Sequence, residues 1–197
     1  MSSFSRADAR RNAERILEAT AELLAADPSA SLEHVAARAG VSRATVYHHF
    51  ANRDALLDAL TEQSVREVKA ALDAARPDTD SATAAMQRML GATWQVVGRY
   101  RGLVIVNPQR LERSELRARL EPALAPVRAV IGRGQRSREF DPELPVEWLL
   151  GILTDIIHAA SRQVSAGAMA PDEAERVLWR TARALLTSHR RVKQAAR

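Results

Sequence analysis

The 197-residue sequence predicts an all-α protein of about nine helices, an N-terminal three-helix domain built on a helix-turn-helix followed by a larger C-terminal helical domain. Apolar residues recur at i, i+3 and i+4 through most of the chain, which is the helical period. No stretch alternates apolar and polar residues as a half-buried strand must. Turn residues fall at helix-length intervals, at Asp27-Pro28, Gly40, 76–80, Asn107-Pro108, 140–145 and 167–170.

From about Asp8 to Ala26, Ala9, Ala13, Ile16, Leu17, Thr20, Leu23 and Leu24 form one stripe, and Asp27-Pro28 ends the helix. Arg6, Arg10 and Arg11 precede or flank its first turn, where they oppose the helix dipole. A basic arm held against phosphates offsets that cost; a solvated terminus is the plainer alternative. Ser31 caps a short helix with Leu32, Val35, Ala36 and Ala39 at helical spacing. Gly40 stands where the chain must leave that helix with positive φ. Ser42 caps a second helix, pinned to the first by Val46 and Phe50 at i and i+4, and small Ala36, Ala37 and Ala39 allow a close approach. Its other face carries Arg43, Thr45, Tyr47, His48 and His49, too polar for a core. Residues 31–50 therefore read as a helix-turn-helix whose second helix can enter a major groove.

Asn52 caps the next helix, which runs to about Ala75 with Leu56, Leu57, Leu60, Ser64, Val68, Ala71 and Leu72 along one side. The turn at 76–80 is the clearest boundary, so the expected divisions are 1–52 for the helix-turn-helix, 53–76 for a connecting helix and 77–197 for the rest. Ser81–Gly98 shows Met86, Met89, Leu90, Thr93, Trp94 and Val97 on one face. A short apolar run, Gly102–Val106, is expected to stop at Asn107-Pro108. Ser114 is expected to cap a helix reaching about Arg138, kinked or restarted at Pro122, because Pro122 and Pro126 each remove an amide. The last two helices are expected at about Val146–Ala166 and Pro171–His189. In the first of them only Thr154, Asp155, His158 and Arg162 interrupt an otherwise apolar surface, wider than the ~100° stripe one core covers. A second surface must cover it. Two such helices paired with the same two of another copy make a four-helix dimer interface, with Leu149, Leu153, Ile156, Ala160, Trp179 and Leu185 as its candidate residues.

Composition excludes some chemistry. The chain has no cysteine, hence no disulfide and no thiolate metal site. The opening MSSFSRADARRNAE lacks a signal-peptide core, and no run approaches the ~20 apolar residues of a membrane span, so a soluble cytoplasmic protein without membrane partners is expected. The formal charge of +5 does not by itself argue for nucleic acid, since residues 1–63 hold seven Arg against nine carboxylates. Placement is more telling: Arg6, Arg10, Arg11, Arg15, Arg43 and Arg53 lie on the arm or beside the second helix of the motif. There is no phosphate-binding glycine loop, nucleophile elbow or H-E-x-x-H, and adjacent His48 and His49 diverge by about 100° and cannot share a metal. Asp155 and His158, at i and i+3, are a proton pair or a polar contact at a helix interface, and no third group joins them in sequence. No enzyme, cofactor or metal is expected.

SLEHVAARAGVSRATVYHHFANRDALL, residues 31–57, resembles the DNA-binding signature of the tetracycline-repressor (TetR) family: a capped helix, a GVS turn, a TxYxHF-like recognition helix and a charged pair before Leu-Leu. His48-His49 departs mildly, since the family often has one aromatic before its histidine. The remaining two-thirds is similar only in length and helical layout. The resemblance implies a homodimeric transcriptional regulator, a repressor, which binds double-stranded operator DNA through a palindrome and is released by a small, mostly apolar effector. It implies phosphate contacts by Thr45, Tyr47, His49 and Arg53, with His48 near base edges. By its chemistry Arg43, at the start of the helix, can pair with two acceptors of guanine, and Ala44 is small enough to meet a thymine methyl. Ser31 and Ser42 complete the candidate DNA-binding set. Met86, Met89, Thr93, Trp94 and Tyr100 are the candidate effector residues; by spacing alone such a stripe is more often plain core, and the resemblance favours a pocket. The alternative is a helical interaction or scaffold protein whose helix-turn-helix no longer binds DNA.

Overall fold

The computed structural model describes residues 3–187, and among them the apolar stripes are carried by nine α-helices and no strand. They are α1 Ser3–Ala26, α2 Leu32–Ala39, α3 Arg43–His49, α4 Arg53–Ala74, α5 Ala82–Arg99, α6 Arg101–Arg110, α7 Arg113–Arg136, α8 Val146–Ser165 and α9 Pro171–Leu186. The side chain of Arg6, and His189 at the expected end of the last helix, lie outside the described residues. Two compact units form, one from residues up to Ser64 with Arg99–Glu112, the other from Val65–Gly98 with Arg113 onward. The expected divisions at 52, 53–76 and 77 do not coincide with these units, because the break falls inside α4 and α6 returns to the N-terminal one.

In the N-terminal unit, α1 packs against α2, α3 and α6. Ile16, Val46 and Leu60 are fully enclosed. Gly102 explains how α6 comes so close: a Cβ there would lie 2.5 Å from the backbone of Leu24. Two buried polar side chains join α4 to α6, the Asn107 amide donating to Thr61 Oγ1 at 3.1 Å while Thr61 donates to the Leu57 carbonyl at 2.7 Å. Arg110 reinforces the join through Asp58 at 2.7 Å. These contacts override local chemistry. The expected stop at Asn107-Pro108 does not occur; α6 continues through Pro108, and the Leu111 amide closes its last turn on the Asn107 carbonyl at 2.8 Å.

The C-terminal unit contains α5, α7, α8, α9 and the end of α4, around Leu72, Met86, Met89, Ile131, Leu149 and Leu186. α7 is one continuous helix with Pro122 and Pro126 inside it, and Ser114 lies within its first turn instead of capping it. The expected restart at Pro122 is therefore corrected. The prolines deprive the carbonyls of Ala118 and Pro122 of their helical donors, and both residues are exposed, so water can serve those carbonyls at small cost. The turn from α4 to α5 places Arg76 and Asp80 in the left-handed region, and Arg88 stitches it by donating to the Ala75 and Arg76 carbonyls at 3.0 and 3.1 Å.

Glu139 caps α5 from a distant part of the chain, accepting from the amides of Ala82 and Thr83 at 3.0 and 2.9 Å and from the Ser137 hydroxyl at 3.0 Å. Burial opposes the charged form, but the Thr83 and Ala82 amides and the Ser137 hydroxyl outweigh it and hold the carboxyl at about 2 instead of 4.5. A depressed folded value means that this stabilisation is complete above about pH 4.5 and is lost as pH falls toward 2. Glu139→Gln should therefore cost about 1 kcal/mol at pH 7, the usual worth of a cap. Thermal melts should show the gap to the wild type narrowing between pH 4.5 and 2; a gap independent of pH would mean the ionised carboxylate is not what stabilises α5.

Candidate nucleic-acid interface and a C-terminal cavity

The helix-turn-helix is built by caps. The Ser31 hydroxyl accepts from the His34 amide at 3.4 Å, and the His34 ring returns the bond to the Ser31 amide at 3.5 Å. Gly40 ends α2 with φ of 64°, its amide bonding the Ala37 carbonyl while the Val41 amide reaches the Ala36 carbonyl. Ser42 accepts from the Thr45 amide at 3.0 Å and starts α3. Val46 is fully buried and Phe50 nearly so, which turns one side of α3 inward. Arg43, Ala44, Tyr47 and His48 occupy the opposite arc and are exposed, with Thr45 and His49 half-buried on its flank. A helix held from behind by Val46 and the Phe50 that follows it, with four residues turned outward, presents a reading face.

Charge around that face is arranged in pairs. Arg43 Nη2 lies 2.5 Å from Glu33 Oε1, with both side chains largely exposed, so Glu33 holds Arg43 by a weak, displaceable bond. The Glu33 carboxyl sits below its usual range, through the Ser31 hydroxyl first, then its own backbone amide and Arg43. Arg53 donates to the carbonyls of Pro28 at 2.7 Å and Ala30 at 3.3 Å, and so fixes the loop before α2. Arg15 ties α1 to the end of α2 through the Ala39 carbonyl at 2.6 Å. Arg10 and Arg11 lie on α1 itself and pair with Glu14 and Asp8, so those positions form a helical segment and not an arm preceding one.

In the C-terminal unit α4, α5, α7 and α8 line a partly open cavity. Of the candidate effector residues, Met86, Met89 and Thr93 line it. Trp94 and Tyr100 do not. Trp94 is one position, about 100°, further round α5 and is packed into the core. Tyr100 belongs to the N-terminal unit, where its hydroxyl accepts from Gln63 at 3.1 Å. Leu120, Leu124 and Val127 on α7, and Thr154 and His158 on α8, also line the cavity, although spacing along α5 does not point to them. The last two were legible as an i, i+4 pair in the narrow polar strip of α8. Thr154 donates to the Leu150 carbonyl at 2.9 Å. Burial is the main cause holding the His158 imidazole below its usual value, and Arg162 adds to it against Asp155.

The candidate dimer residues divide differently from expectation. Leu149 and Leu153 are buried in the protein's own core, and Trp179, Ile156 and Ala160 pack partly against it. Leu185 is half-buried. The residues turned outward are Trp148, 60% exposed, and Val177, 43% exposed, with Ile152 half-buried one turn beyond Trp148. Helical period identified α8 as apolar all round but could not say which arc the protein's own core takes.

Residues 16–60 match the family model of bacterial regulatory proteins, tetR family. Over 157 residues the chain is 29% identical to the HTH-type transcriptional repressor LfrR of Mycolicibacterium smegmatis, covering 80% of this chain and 81% of that protein. A solved structure of the TetR-like regulator LfrR from Mycobacterium smegmatis in complex with proflavine superposes with a TM-score of 0.73 at 24% identity, over 89% of this chain and 97% of that one. The regulator FadR from Bacillus subtilis in complex with stearoyl-CoA shares the fold at a TM-score of 0.69 and 17% identity, over 88% and 97% of the two chains.

Arg43→Ala should cost about 1–3 kcal/mol of binding to a specific duplex and relax preference at one base pair in each half-site. Glu33→Gln should tighten binding to all duplexes by releasing Arg43 and removing a charge that repels phosphate. Fluorescence anisotropy on matched specific and random duplexes checks both. Equal losses on the two duplexes for Arg43→Ala would reduce Arg43 to a phosphate contact.

Proposed function

We propose that this chain, whose residues 16–60 match the family model of bacterial regulatory proteins, tetR family, and which is similar over most of its length to a transcriptional repressor, is a ligand-responsive repressor of that family and not an enzyme. It binds a palindromic operator as a homodimer and leaves it when a small, mostly apolar effector occupies the C-terminal cavity. The observation that carries the DNA-binding half is the outward arc of α3, where Arg43, Ala44, Tyr47 and His48 are exposed while Val46 and Phe50 hold the helix from behind. In the groove Arg43 reads a guanine, Ala44 meets a thymine methyl and His48 lies near base edges, while Thr45, Tyr47 and His49 fix register on the phosphates. Ser31 and Ser42 offer capped helix starts toward the same backbone. Arg53, with two donors committed to Pro28 and Ala30, acts there chiefly by holding the loop that carries α2.

The second copy covers the outward face of α8 and α9. Trp148 and Ile152 on α8 and Val177 on α9 are apolar side chains turned away from the unit's own core, and symmetric pairing through that face would present two recognition helices to two half-sites. The solved complexes of related folds with proflavine and stearoyl-CoA support a ligand in the cavity. α4 supplies residues 53–64 to the N-terminal unit and 65–74 to the other, with Val68 and Leu72 at the cavity wall. A ligand that binds the DNA-free form more tightly by ~1–3 kcal/mol is thereby able to shift α4 and release DNA.

Trp148→Glu should give a folded monomer, because an exposed side chain contributes little to the subunit's own stability. Operator affinity should fall by at least about 100-fold, since a half-site alone keeps only half of the contacts. Light scattering and gel shift on the same sample check this. A Trp148→Glu dimer that still binds its operator would place the interface elsewhere. Tyr47→Ala should weaken binding on every sequence and leave the dimer intact.

A further inference from the structure

The chemistry of the cavity wall goes further than "small and apolar". Of its described lining residues, only Thr93, Thr154 and His158 carry a polar side-chain group, and none is an acid, a lysine or an arginine. The charged neighbours of His158 on α8, Asp155 and Arg162, are exposed and do not line the wall. Thr154 and His158 are one turn apart on the same face of α8, so their polar atoms form one small patch in an otherwise hydrocarbon wall. Thr154 already donates to the Leu150 carbonyl and keeps its lone pairs for a ligand.

Resting on the proposed role of this cavity as the effector site, we infer that its ligand is an uncharged amphiphile: an apolar body with one neutral polar head, a hydroxyl or N–H amide that hydrogen-bonds both His158 and Thr154, or a ketone or ester that accepts from His158 alone. A full charge brought into this wall meets no opposite charge and loses its hydration. A neutral imidazole, by contrast, both donates and accepts, which suits a neutral head of either kind. The depressed proton affinity of His158 keeps the ring in that neutral form near pH 7. Met86 and Met89 on the facing helix adapt to the shape of the body. A cationic amphiphile, which a site with a wall carboxylate would favour, is selected against here.

The test uses one chain length and three heads: 1-octanol, octanoate and octylammonium, each titrated calorimetrically into the intact protein at pH 7.5. Octanol should bind at least about tenfold more tightly than either ion, the cost of leaving a charge or polar group unmatched. His158→Leu should weaken octanol by about tenfold and leave the ions unchanged, while His158→Gln, which keeps a donor and an acceptor, should restore most of the affinity. Equal or tighter binding of octylammonium or octanoate would overturn the inference and leave the cavity an effector site. If none of the three binds, both the inference and the effector role of the cavity fall. Unaltered octanol affinity in His158→Leu overturns the assignment of the polar head.

Discussion

The reading face of this protein depends on the burial of two side chains, Val46 and Phe50. A seven-residue helix has no stability of its own in water, because the cost of its first turn is never recovered over so short a length. Burying two apolar side chains is worth roughly 3–6 kcal/mol and supplies what propensity cannot. The Ser42 cap and the Gly40 turn fix where the helix starts and in which direction it leaves α2. Once those three constraints are met, the positions of Arg43, Ala44, Tyr47 and His48 follow from helical geometry alone.

Polar bonds then remove the remaining freedom. Arg15 secures the last carbonyl of α2, Arg53 the loop before it, and the Thr61–Asn107 pair locks α6 to α4. These are buried or half-buried bonds, which define geometry more than they add net stability. The Arg43–Glu33 pair is of another kind: exposed and weak, so it holds Arg43 by a bond that a competing anion displaces. In the C-terminal unit the same economy of polar groups shapes the cavity, where three polar side chains stand against a wall of Leu, Met, Val and Ile.

Much of this was legible in the residues, for reasons that also explain what was not. The α2–α3 segment is specified by local chemistry, Ser31, Gly40 and Ser42, whose consequences act within a few residues. The α6 and α7 prolines mislead because their local penalty is small beside the packing of Leu103 and Val106 or of Val130 and Ile131, which only the assembled fold displays. Periodicity marked Met86, Met89 and Thr93 as one face of α5, but the neighbouring Trp94 shares its composition and not its direction. It likewise could not separate Leu149 and Leu153, taken by the protein's own core, from Trp148, left outside. The lesson is physical: period gives a helix its faces, and only tertiary contacts say which face is already used.

The central claim is that the outward arc of α3 reads DNA sequence as part of a symmetric pair. In vitro selection from a random duplex library with the full-length protein tests it directly. The account predicts enrichment of one inverted repeat, with half-site centres one helical turn (~34–36 Å) or a multiple of it apart and with a guanine at a fixed place in each half. Recovery of duplexes with no shared sequence, or of a single unrepeated site, would contradict it.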